Sequence, residues 1–63
     1  MKTNAAPDYD ATRATWHDAK PWDKAVRFSR ARTALGEPRH TDVQERNGAP
    51  CLVDLDTNRS HPL

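Results

Sequence analysis

The side chains best suited to chemistry in this 63-residue chain are three histidines and one cysteine: His17, His40, His61 and Cys51. Imidazole and thiolate are the common structural zinc ligands, and a cysteine beside a histidine can form an activated nucleophile. Spacing argues against both. Structural zinc sites draw ligands from short pairs a few residues apart, whereas these four are separated by 23, 11 and 10 residues. Cys51 also opens the apolar run Cys51-Leu52-Val53, where a thiol is expected to be buried and inert.

Arginine offers a second chemistry. Arg27, Arg30 and Arg32 lie close together, with Lys24 and Arg39 nearby. A guanidinium grips phosphate or carboxylate with the same forked geometry, so nucleic acid and a protein partner are both candidate targets. The charge balance favours protein. The chain carries 10 Lys plus Arg against 9 Asp plus Glu, a formal +1, which is too little to draw it onto a polyanion. The basic stretch 20–40 sits between acidic flanks that can neutralise it, and no helix-turn-helix, zinc-finger or RNP-type pattern accompanies it. Trp16 and Trp22 bracket the same region, and Trp and Arg are the residues that dominate interface hot spots. Trp16, Trp22, Arg27, Arg30, Arg32 and Leu52 are therefore the expected partner-binding residues.

Carboxylates supply the third possibility. Asp54-Leu55-Asp56 follows Cys51-Leu52-Val53, and this short run resembles the first motif of haloacid-dehalogenase-type phosphatases. In that family two carboxylates at a strand end serve as nucleophile and acid/base around magnesium. The family's further lysine and carboxylate have no place in the residues that follow, so the resemblance implies no enzyme here. Asp54-x-Asp56-x-Asn58 also matches positions 1, 3 and 5 of an EF-hand loop, but Arg59 stands where glycine is required and no glutamate occupies position 12. The expectation is a non-enzymatic protein with no catalytic residue, no metal and no cofactor.

Five prolines, at 7, 21, 38, 50 and 62, limit the length of any element that could position these side chains. Residues 1–9 read as a flexible tail. Asp10 suits the cap of a short helix over about 11–19. Residues 21–35 form the clearest element: Pro21 fits the first helical turn, Asp23 the positive end of the helix dipole, and Gly36 the position just past the end. On a helical wheel Trp22, Ala25, Val26, Phe28, Ser29, Thr33 and Leu35 share one broad sector. Lys24, Arg27 and Arg30 fall opposite, and Arg32 intrudes on the apolar side, placed to reach an inward carboxylate.

Beyond Pro38 the period changes. Asn47-Gly48 is a strong signal for a two-residue hairpin turn. Pairing around it over about 41–55 would set Val43 opposite Leu52 and Gln44 opposite Cys51, with Pro50 requiring an edge position. Residues 57–63 read as an extended tail. The expected fold class is therefore small α+β, or else mostly irregular, with residues 10–56 as a single small domain.

That domain is short of core. Apolar residues make up 35% of the chain, nine of them are alanine and none is isoleucine, and mean hydropathy is −1.03. One cysteine cannot staple the chain internally. The composition excludes a multidomain enzyme and a membrane span, and the N-terminal stretch lacks the apolar core of a secretory signal. Order across most of the chain is expected to depend on a larger protein assembly or on self-association. The leading expectation is an accessory subunit, particle component or inhibitor, laying helix 21–35 in a groove and adding 51–55 as a strand to an exposed edge. A small nucleic-acid-binding regulatory module is the alternative. Alanine-rich, arginine-over-lysine usage fits a GC-rich bacterial or phage genome, and hence the cytoplasm or a virion.

Overall fold

The computed structural model describes residues 14–63. Its elements are helix α1 (Pro21–Ala34) and strands β1 (Thr41–Arg46), β2 (Ala49–Asp54) and β3 (Ser60–Pro62). The strands form one antiparallel sheet in the order β1-β2-β3, so the fold is a small α+β unit with β2 at the centre.

Local chemistry sets both ends of α1. Pro21 occupies its first position, where no N–H is needed, and Lys20 precedes it in extended conformation without a side-chain cap. At the other end Gly36 takes φ +83°. Its N–H donates to the carbonyl of Thr33 at 3.0 Å, and the Glu37 N–H donates to the carbonyl of Arg32 at 2.8 Å. This is a Schellman closure, and it satisfies carbonyls that the end of the helix would otherwise orphan.

Asn47 and Gly48 have φ of +54° and +78°, the backbone a type I′ turn demands. The turn sets the register: Val43 pairs with Leu52 and Gln44 with Cys51, as the sequence predicts. Pro50 lies on the central strand, where an edge was expected. A two-residue turn makes Arg46 and Ala49 the closing hydrogen-bonded pair, so Glu45 and Pro50 form a non-bonded pair and the proline nitrogen faces away from β1. On its other side β3 ends at Pro62, and the Pro50 carbonyl accepts from the Leu63 N–H at 3.0 Å. Pro50 thus leaves the β1–β2 ladder intact, and on the β3 side it lacks only the N–H that would return a bond to Leu63.

Two further expectations need correction. Residues 14–19 form a hydrogen-bonded turn instead of a helix, with the N–H groups of Asp18 and Ala19 reaching the carbonyls of Thr15 and Trp16 and the Thr15 hydroxyl donating to Asp18. Local side-chain bonding of this kind competes with helix formation. The rest of the expected 11–19 helix and the 1–9 tail lie outside the described residues. Residues 57–63 are not a tail: Ser60, His61 and Pro62 pair with Val53, Leu52 and Cys51 as β3, so the ordered unit extends past 56.

The core lies where α1 crosses the sheet. Ala31, Leu35 and Leu52 form its buried cluster, with Phe28 and Leu63 packed against it. By alternation Cys51 and Val53 point to the other face, and both are buried there. On that face Arg46 donates to the Asn58 side-chain oxygen at 2.7 Å, tying β1 to the β2–β3 connection.

Candidate partner-binding surface

α1 packs with a different side inward from the one the wheel selects. Arg27, Ala31 and Leu35, at steps of four, face the sheet, with Phe28 half-buried beside them. Trp22 is 70% exposed and Val26 45% exposed, and Ala25, Ser29, Arg30 and Thr33 accompany them on the solvent side. The broad apolar sector is really two stripes, and the fold buries the Phe28–Leu35 stripe and leaves the Trp22–Val26 stripe outside.

The six residues expected to bind a partner therefore separate. Leu52 is fully buried, which withdraws it from any surface. Arg27 is withdrawn as well. Its Nη2 donates to Asp23 at 2.7 Å, one turn earlier, and to the Ala14 carbonyl at 2.7 Å, while Nε is buried without a partner among the described residues. Arg32 reaches a backbone carbonyl, that of Pro38 at 2.9 Å, instead of a carboxylate. Trp16 is half-buried, its ring 5.7 Å from the Lys24 ammonium, a cation–π contact. Trp22 and Arg30 stay on the open face of α1. The wheel missed Val26 as a surface residue because it counted the residue as core.

A cleft of about 450 Å3 opens beside Arg27, lined by Trp16, Pro50 and Leu63 among others. Among the described lining residues, the charged side chain is Arg27, and it is already paired with Asp23.

The residues with chemical potential are spent on structure. His17 pairs with Glu45 at 3.4 Å and His40 with Asp56 at 3.2 Å, both pairs exposed. Cys51 is buried with its Sγ 3.6 Å from the Ala49 carbonyl. Asp54 organises its own loop: one carboxylate oxygen accepts from the Asp56 N–H at 2.9 Å and the Thr57 N–H at 3.4 Å. The Asp56 N–H is the chief reason the Asp54 carboxyl titrates below its ordinary value of 3.8; burial opposes the shift, and Thr57 and the charge of Arg59 add to it. With Asp54 bonded to backbone, Asp56 to His40 and Asn58 to Arg46, the three oxygens of the 54-56-58 pattern serve separate contacts.

No described helix is long and apolar enough to cross a membrane. No family model, curated protein or solved structure matches this chain.

Proposed function

We propose that this protein is a non-enzymatic accessory module that docks on a larger protein assembly through the outer face of α1, in a bacterial cytoplasm or a phage particle. The observation that carries this reading is the exposure of Trp22 and Val26, one turn apart, on an ordered helix. Arg30 continues the line one turn further, and Ala25, Ser29 and Thr33 run beside it as small residues that let a partner approach the backbone. Anchors at i, i+4 and i+8 are how a helix is read by a groove, and a Trp with a nearby Arg is the usual energetic centre of such a contact.

Nucleic acid is the weaker reading. Arg27 is paired with Asp23, Arg32 is hydrogen-bonded to a backbone carbonyl and Lys24 lies over Trp16, which leaves Arg30 as the α1 cation without such a contact among the described residues.

Site-specific photo-crosslinking in the source cell tests the proposal. A crosslinker at Val26 should give one discrete adduct with a protein several times larger, and one at exposed Thr57 should not. Equal labelling from both positions, or no adduct from Val26, refutes it.

A further inference from the structure

The two edges of the sheet are unlike each other. β3 has three residues and ends in proline, two of the devices by which proteins blunt an edge. β1 has six residues, contains neither proline nor lysine, and pairs with β2 in unbroken register without a bulge. The hydrogen-bonded closing pair Arg46–Ala49 turns the backbone groups of residues 42, 44 and 46 toward β2, and those of Thr41, Val43 and Glu45 outward. Among the described residues these outward groups have no backbone partner and form an open ladder. The strand expected to add itself to a neighbouring sheet, 51–55, is mostly the central β2 and has both sides occupied; the available edge belongs to β1.

The side chains of β1 say what fits that edge. Asp42, Gln44 and Arg46 share one face, and a chain of hydrogen bonds joins them: Gln44 donates to Asp42 at 3.1 Å and Arg46 to Gln44 at 3.4 Å. The charges are opposite and equidistant from Gln44, so the row is complementary to itself when reversed. We propose that β1 is a pairing edge whose partner is β1 of a second copy, aligned antiparallel about Gln44, with Asp42 of each protomer facing Arg46 of the other.

The backbone permits this register. It sets Val43 opposite Glu45 as hydrogen-bonded pairs made from the outward groups, and places Asp42–Arg46 and Gln44–Gln44 in the close, non-bonded pairs where side chains interact most strongly. Shifting by one residue pairs outward groups with inward ones and sets Asp42 against Glu45. Centring on Val43 satisfies the backbone but loses both charge pairs. Arg46 also holds Asn58, and its five N–H donors let it keep that bond while meeting a carboxylate. Val43, 40% exposed in the single chain, gains cover in the six-stranded sheet.

One added strand pair makes a small interface, so the dimer belongs to the weak class and should be followed by sedimentation of the full chain at about 10 and about 500 µM. The expected result is monomer at the lower concentration and a dimer-dominated boundary at the higher; monomer at both overturns the proposal. Register is read separately by oxidative crosslinking in a Cys51→Ala background. Gln44→Cys should form disulfide-linked dimer at least about 10-fold faster than Val43→Cys, since only residue 44 meets its own copy. Equal rates or the reverse order overturn the charge-matched alignment. Asp42→Arg should abolish the dimer and Asp42→Arg with Arg46→Asp should restore it; a double variant that folds by circular dichroism yet stays monomeric also overturns it. Trp22→Ala should dimerise like the parent chain, which keeps this test apart from that of the α1 docking face.

Discussion

Arg27 Nη2 lies 2.7 Å from Asp23 Oδ2, one helical turn away, and the arginine side chain is only 6% exposed. That pair lies on the side of α1 that faces the sheet. A guanidinium enters a small core when a carboxylate and a carbonyl meet it there, and its long aliphatic stem then packs like an apolar side chain. Turning Arg27 inward carries Ala31 and Leu35 onto Leu52 and turns Trp22 and Val26 to solvent.

The two partners of this pair should respond unequally to removal. Asp23→Asn leaves a buried cation without its counterion and should lower stability by about 1–3 kcal/mol. Arg27→Met keeps the stem and leaves Asp23, 30% exposed, free to hydrate, so it should cost less. Urea denaturation of both variants gives the order, and a larger loss for Arg27→Met contradicts the account.

Trp22 and Leu52 make a sharper contrast. Trp22→Ala removes the largest side chain on the open face and should change stability by no more than about 0.5 kcal/mol. Leu52→Ala, at a fully buried position, should cost about 2–5 kcal/mol, enough to unfold most of so small a domain. Thermal melts followed by circular dichroism distinguish them.

At Gly48 the backbone alone decides. Its φ is +78° and an added Cβ would meet nothing within 4 Å, so Gly48→Ala should destabilise by about 1 kcal/mol through strain in the turn without a steric clash. A neutral effect in chemical denaturation would show that the turn does not hold this conformation.

Acid should act through Asp54. Its folded-state carboxyl titrates below the ordinary value of 3.8, so the stability it contributes is present above that value and is lost as pH falls through the lower folded value. Asp54→Asn should therefore be less stable than the parent at neutral pH, with the difference shrinking as acid protonates the parent's carboxyl. Melting temperatures measured from pH 7 down to about 2 check the trend; a constant difference would remove Asp54 as its source.

What the sequence by itself determined is what neighbouring residues settle between themselves. Pro21 and Gly36 bound α1, and Asn47-Gly48 fixes a turn whose length then dictates that Val43 meets Leu52. Asp23 and Arg27 are four apart, but sequence alone assigns one to the helix dipole and the other to a partner, and their pairing is a finding of the structure. Only tertiary structure decided the rest. Two apolar stripes on α1 competed for one sheet, and the side that went inside brings Arg27 to Asp23 and to the carbonyl of Ala14, 13 residues away. Ser60-His61-Pro62 has no strand pattern of its own and becomes β3 because β2 offers it an unfilled ladder. The surface proposed to bind a partner is likewise a consequence of packing: Trp22 and Val26 are outside because Ala31 and Leu35 took the inside.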